Sequence, residues 1–245
     1  MRRLLAWLCV AALACGAIGA GGEERADPAR EQRSSKEESG ADRREERGTQ
    51  TVYIPPARGS TRTRTGGATR GRTPLPRLAV LAPDHVALTA RAAPTLAWYV
   101  DGAARLPLVL TLLRDGATAP ELEVTLAEAV EEGIAQAELS RWNVALEPGV
   151  VYQWSVALVA DPARWDESVV ASGGIERVSE PAETAPRRAG ESRHRALARD
   201  GLWYDAIAEL GESIAAGDAS LRAERAVLLE QVGLDEAAAF DRAAR

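Results

Sequence analysis

Apolar residues alternate with period two through the middle of this chain. In the stretch "TLAWYV" Leu96, Trp98 and Val100 fall on one face, and Leu106, Leu108, Leu110 and Leu112 do so in "LPLVLTLL". In "ELEVTL" Leu122, Val124 and Leu126 alternate with Glu121, Glu123 and Thr125. Successive side chains of an extended chain point to opposite faces, so these runs predict strands with one face in a core. The third presents its charged face to water. Pro94, "DGAAR", "RDGATAP" and "EPG" separate the runs at hairpin-like spacing, which makes residues 75–178 a β region.

The strand "VVYQWSVALV" is the most informative. Tyr152, Trp154, Val156 and Leu158 share a face, and Leu146, Pro148 and Gly149 precede Tyr152 at the spacing of a tyrosine corner. In such a corner the phenol bonds back to the upstream turn and fixes a crossover between two sheets. Several short strands with this corner predict an immunoglobulin- or fibronectin-like β-sandwich. Between them, "LAEAVEEGIAQAELSRW" also reads locally as a helix, and Gly133 in its middle argues against that reading.

Beyond a Pro-containing linker at 179–190 the period becomes helical. Leu202, Ala206, Ile207 and Leu210 form one stripe, and Leu221, Ala226, Leu228, Leu229 and Val232 another. "GLWYDAIAEL" and "GLDEAAAF" both follow a helix and set Gly-Leu before an acid and Ala, about thirty residues apart, as tetratricopeptide-type hairpins do. Two such units are too few to close a core of their own, so residues 191–245 are expected to dock on the sandwich or to accept a partner. Trp203 and Tyr204 are candidates for the partner contact, although a plain core role is the first expectation for both. The expected fold is mainly β with an α C-terminus: a sandwich over 49–178, then tetratricopeptide-like helical hairpins.

The N-terminal twenty residues, "MRRLLAWLCVAALACGAIGA", have a basic start, an apolar run and small residues at the end. This predicts a signal peptide over 1–20, cleaved after Gly19 or Ala20, and an exported protein, periplasmic or extracellular, with no transmembrane span after cleavage. The alternatives are an uncleaved anchor and a lipoprotein, since "AALAC" is an imperfect lipobox whose Cys15 would be lipidated. Cys9 and Cys15 are the only cysteines, so cleavage leaves no thiol for a disulfide, a zinc site or a nucleophile. Residues 21–48 interleave acids and bases and, from 23 to 47, lack Val, Ile, Leu and aromatics, the composition of a solvated tether.

The formal charge of −6 excludes general affinity for nucleic acid. Against that balance, residues 49–83 hold no Asp or Glu. Here "VYIPPARGSTRTRTGGATRG" reads as a short edge strand at Val52, Tyr53 and Ile54, stopped by Pro55 and Pro56. A loop follows in which Gly66, Gly67 and Gly71 permit turns whose N–H groups line an anion-binding hollow. Arg58, Arg62, Arg64 and Arg70, with Thr69, would surround that hollow. The first expectation, ahead of that hollow, is an ordered loop capping the sandwich. No aromatic follows Tyr53 in this stretch, so base stacking on single strands is not expected.

Catalytic signatures are missing from the sequence. "GGATRG" lacks the Lys of a P-loop, and neither a Gly-x-Ser-x-Gly elbow nor a His-Glu-x-x-His motif occurs. The two histidines, His85 and His194, are far apart and read as solvated or packing residues. No catalytic residue, metal site or cofactor is therefore expected.

One ordered series of motifs is specific. It comprises Pro55, Pro56, Arg58 and Gly59; Gly66, Gly67, Thr69, Arg70 and Gly71; Pro94 and Thr95 before Trp98 and Tyr99; Tyr152 and Trp154; Gly173, Ile175 and Arg177; and Trp203, Tyr204 and Asp205. In these the chain resembles the bacterial domain of unknown function 928 family, common in exported cyanobacterial proteins. Ala97 stands where that family favours an aromatic, and Ala160 where it often has Cys. The resemblance implies export and a defined conformation for the glycine-containing loop, and it assigns no catalytic residue. The function expected is non-catalytic interaction with an envelope protein. The alternatives are an anionic envelope polymer held by the Arg/Gly loop and, more distantly, a hydrolase.

Overall fold

The computed structural model describes residues 51–56, 65–66, 75–161, 163–178 and 190–244. Gln50–Arg245 form one compact unit. The expectations for the signal peptide, for Cys15, for the tether and for the linker at 179–189 lie outside the described residues, as do those for Arg58, Arg62, Arg64, Gly67, Thr69 and Arg70.

The strands are β1 (Thr65–Gly66), β2 (Leu78–Val80), β3 (Ala87–Thr89), β4 (Thr95–Val100), β5 (Leu108–Arg114), β6 (Leu122–Ala127), β7 (Gly133–Glu138), β8 (Val151–Leu158) and β9 (Val169–Arg177). They make a four-stranded sheet, β1-β2-β4-β7, and a five-stranded sheet, β3-β9-β8-β5-β6. The pairings are antiparallel except for β3, which runs parallel to β9. β2 lies against β8 and β9, and both sheets feed one hydrophobic core. The alternation in the sequence maps onto this directly: Leu96, Trp98, Val100, Leu108, Leu110 and Leu112 are buried, and so are Tyr152, Trp154, Val156 and Leu158 on the central strand β8.

Two ambiguous segments resolve by backbone conformation. The helix alternative around Gly133 gives way to β7, which pairs with β4 along its whole length. Gly133 has φ 140, a value that ends helical geometry and that a glycine adopts without strain. The expected edge strand at residues 52–54 is an extended strap instead. Its N–H groups go to the helices: Tyr53 N–H donates to Gln231 Oε1 at 2.9 Å and Ile54 N–H to the Ala198 carbonyl at 3.2 Å. The Ala198 carbonyl, in the last turn of a helix, also accepts the Gly201 N–H at 3.1 Å, so the strap takes up its second acceptor position.

The tyrosine corner is present. Glu147 N–H donates to the Tyr152 hydroxyl at 3.2 Å, and the Arg114 guanidinium lies 5.5 Å from the Tyr152 ring centre while pairing with Glu121 and Glu147. Arg177 Nη1 donates to the Leu146 carbonyl at 3.1 Å, and Gly149 N–H to the Arg177 carbonyl at 2.8 Å, so the corner is bonded to β9 as well.

Four helices follow: α1 (Arg193–Arg199), α2 (Trp203–Ala215), α3 (Leu221–Gln231) and α4 (Asp235–Ala243). The internal echo in the sequence is a repeated joint. Gly201 at φ 77 ends α1 and Gly233 at φ 71 ends α3, and each following leucine donates its N–H five residues back, Leu202 to Leu197 and Leu234 to Leu229, both at 2.9 Å. α2 packs on β3 and β4, and α4 on β7, where Phe240 meets Tyr99 and Gly133. Trp203, Tyr204, Leu210, Leu228 and Leu229 belong to the same core as the strands.

Candidate functional site

Two polar features and two clefts have the geometry to matter, and the first is the joint between α2 and the sheets. Trp203 Nε1–H donates to the Leu81 carbonyl at 2.8 Å. Trp154 Nε1–H donates to the Tyr204 hydroxyl at 2.8 Å, which itself donates to the Gly174 carbonyl at 2.9 Å. A Cβ on Gly173 would sit 2.9 Å from the Ala82 Cβ and 3.2 Å from Trp154 Nε1, so only glycine lets the layers approach this closely. Asp205 Oδ2 accepts the Ala90 N–H at 2.9 Å, and Oδ1 lies 3.6 Å from Arg91 Nε. Burial raises the Asp205 pKa, against the pull of those partners. Burial likewise pushes the Tyr204 phenol up and keeps it protonated as a donor.

The sequence motifs thus converge. Trp154, Gly173, Trp203, Tyr204 and Asp205 meet in space although they are spread along the chain. They form a structural bolt. Trp203 and Tyr204 are buried, 0% and 2% exposed, so of their two expected roles the structure shows core packing and leaves neither on the surface for a partner. Gly66 also departs from expectation: it pairs in β1 with Leu78, where the sequence reading placed it in a turn.

The second feature is a carboxylate clamp. Glu224 accepts from Arg195 Nη2 at 2.8 Å, from Arg195 Nε at 3.0 Å and from Thr51 Oγ1 at 2.9 Å, and lies 2.5 Å from His194 Nε2. Burial opposes its ionisation, but these partners outweigh it and hold the pKa down to about 2. Since Thr51 lies on the strap, the clamp ties the strap to α1 and α3.

Beside the strap lies a cleft of about 460 Å³ lined by Tyr53, Pro55, Pro83, Asp84, His85 and Gln231 among others. Tyr53 stacks on His85 and meets Trp203 edge-on. Its hydroxyl is 2.9 Å from His85 Nε2, and His85 Nδ1 is 3.5 Å from Asp84 Oδ1. Burial raises the Tyr53 pKa and keeps the phenol protonated beside Nε2, while the Nδ1 side of the ring faces Asp84.

A second cleft, of about 390 Å³, opens on the flank where the chain crosses from β6 to β7. Its cause is the register. Inward residues Leu96, Trp98 and Val100 of β4 face Ala137, Ala135 and Gly133 of β7, so the edge strand brings almost no side chain to the space beneath it. Leu108, Leu126, Ala127 and Val130 form other walls, with Glu131, Glu132 and Arg141 also lining it. Trp98 lines this cleft and is 4% exposed, and its indole N–H, itself closed off from solvent, meets no acceptor among the described residues.

Sequence reading missed this cleft and the Glu224 clamp. "GIAQAE", with small residues at alternate positions of a strand, was the available signal for the cleft. The clamp left none, because His194, Glu224 and Thr51 meet only through the fold. Among the described residues no group of three or more His, Cys, Asp or Glu is placed to hold a metal ion. No helix among them is long and apolar enough to cross a membrane.

Compared with known protein families, residues 65–241 match the model described as Domain of Unknown Function (DUF928). No curated protein and no solved structure matches the chain.

Proposed function

The chain belongs to the Domain of Unknown Function 928 family, and from that premise we propose that it is an exported, non-catalytic interaction module of the bacterial cell envelope. The observation that carries this reading is the bolt: Trp154, Gly173, Trp203, Tyr204 and Asp205 are spent on holding helices to sheets. A set of motif residues used for rigidity fits a presenting scaffold better than a reaction centre.

We further assign the sheets to an immunoglobulin- or fibronectin-like sandwich. With β2, β4 and β7 taken as strands A, B and E, and β5, β8 and β9 as C, F and G, sheet membership follows that fold, and β6 takes the place of an added C′ strand. The corner at Tyr152 then falls on strand F, where such corners occur. The repeated Gly-Leu joints support tetratricopeptide-like hairpins for the helices. The protein works in the periplasm or outside the cell, with lipidation at Cys15 as the alternative to release.

A second reading, an anionic envelope polymer bound by Arg58, Arg62, Arg64 and Arg70, is favoured by the acid-free stretch 49–83. One experiment separates the two. The processed full-length chain, and a variant with these four arginines changed to Gln, are used to capture partners from envelope extracts at low and high salt. The same protein retained by both chains in high salt supports docking by apolar surface. Capture lost with the arginines or with salt assigns binding to the arginine loop.

A further inference from the structure

We propose that residues 51–56 are an exchangeable strap: the groove that α1 and α3 offer them is a recognition site for an extended Thr-x-Tyr segment, open to the same segment of a second copy of this chain. This goes beyond the interaction reading, since groove and occupant both belong to this chain and no envelope protein enters.

The groove reads main chain and side chains separately. Gln231, at the end of α3, grips the strap backbone at two points: its Oε1 accepts the Tyr53 N–H at 2.9 Å and its Nε2 donates to the Thr51 carbonyl at 2.8 Å. An extended chain turns one residue's carbonyl and the N–H two residues on to the same side, so this grip is indifferent to sequence. Ile54 N–H goes to the Ala198 carbonyl at the end of α1. A Cβ on Gly201 would lie 3.1 Å from the Ile54 carbonyl oxygen, so glycine lets the strap settle on that helix end.

Selection comes from alternate residues. The Thr51 hydroxyl donates to Glu224 at 2.9 Å, and the Tyr53 ring is buried between His85 and Trp203. Val52 and Ile54 point outward and are exposed. The site therefore asks for a hydroxyl residue, any residue and then tyrosine, and the strap of an identical copy meets that requirement.

The strap's place in the chain suits exchange. It is the first segment of the compact unit, and its partners lie up to 180 residues further along. A second copy offers every one of these bonds again, so exchange loses none of them. Pro55 and Pro56 have fixed φ and no N–H, which favours a straight exit from the groove over a turn back. A tethered strap competes at an effective concentration of about a millimolar, so exchange belongs to crowded chains.

The test uses two variants of the processed full-length chain. Tyr53→Ala damages the strap and keeps the groove, and Gln231→Ala does the reverse. At concentrations where each alone sediments as a monomer, their equal mixture should contain a one-to-one heterodimer, the intact groove of one holding the intact strap of the other. A fluorescein-labelled peptide of residues 49–57 should bind Tyr53→Ala saturably, one per chain, and at least about tenfold more tightly than wild type, whose own strap competes. Adding Gln231→Ala should weaken that binding about tenfold through the loss of two hydrogen bonds. The peptide carrying Tyr53→Ala should not bind.

Circular dichroism establishes that each variant is folded. Should Tyr53→Ala fail that check, Thr51→Val with Ile54→Pro takes its place, since it removes two strap bonds and keeps the buried ring. A mixture that stays monomeric, dimerisation of either variant alone to the same extent, or equal binding of the two peptides overturns the proposal.

Discussion

The Tyr204 hydroxyl accepts the Trp154 indole N–H at 2.8 Å and donates to the Gly174 carbonyl at 2.9 Å, so one phenol joins helix α2 to two neighbouring strands. Both partners are taken out of water by the same packing that buries Tyr204. Tyr204→Phe keeps the ring and strips the oxygen, leaving a buried donor and a buried acceptor unpaired. The expected cost is about 2–3 kcal/mol, read as a lower urea midpoint at unchanged slope. A double-mutant cycle with Trp154→Phe should show strong coupling, and additive losses would mean that the hydrogen bond contributes nothing of its own.

Gly173 is the floor on which that bond rests. Its missing Cβ is what allows Ala82 and the Trp154 indole to come as near as they do. Gly173→Ala should therefore destabilise by about 1–3 kcal/mol through overpacking. Because the closest clash is with the Ala82 Cβ at 2.9 Å, adding Ala82→Gly should recover part of the loss. Thermal unfolding of the two single variants and the double variant checks this, and no recovery would locate the clash on the indole instead.

The bolt also makes a statement about cooperativity. Trp203 is fully buried in a core shared by strands and helices, and its N–H bonds Leu81 just past β2. Trp203→Ala should cost about 3–5 kcal/mol. The intact chain should unfold in one transition reported alike by tryptophan fluorescence and far-ultraviolet circular dichroism. Two separated transitions would show that the sheets stand without the helices.

How much of this was legible depends on the range of the interactions involved. Period-two alternation placed β4, β5, β6 and β8 because a strand's two faces are written within a few residues. The corner at Tyr152 was legible for the same reason, its partner Glu147 lying five residues away. Residues 52–54 misled because a triplet of strand-favouring residues, Val-Tyr-Ile, looks alike whether its N–H groups meet a strand or, as here, Gln231 and the end of α1. Trp203 and Tyr204 were recognisable as important, yet their partners, Leu81 and Trp154, lie 122 and 50 residues away. The flank cleft depends on the register of β4 against β7, which side-chain pattern alone did not set.

Acid titration isolates the clamp at Glu224. Its folded pKa of about 2 lies below the ordinary 4.5 because Arg195, His194 and Thr51 overcome the burial that opposes ionisation. Between those two values the unfolded chain binds the proton and the folded chain does not, so stability falls as pH drops through that window. Above about pH 4.5 the contribution is complete, and below pH 2 it is gone. Glu224→Gln should cost about 1–2 kcal/mol at neutral pH, charge-assisted bonds being discounted for partial exposure. It should also flatten the acid limb, so that variant and wild type converge near pH 2. Asp205 has the opposite sign: burial raises its folded pKa, which penalises the ionised form at neutral pH and relieves that penalty as pH falls through the raised value. Asp205→Asn should consequently steepen the acid limb that Glu224→Gln flattens. Urea midpoints measured from pH 7 to pH 2 on the three proteins check both signs, and parallel curves would place the acid sensitivity elsewhere.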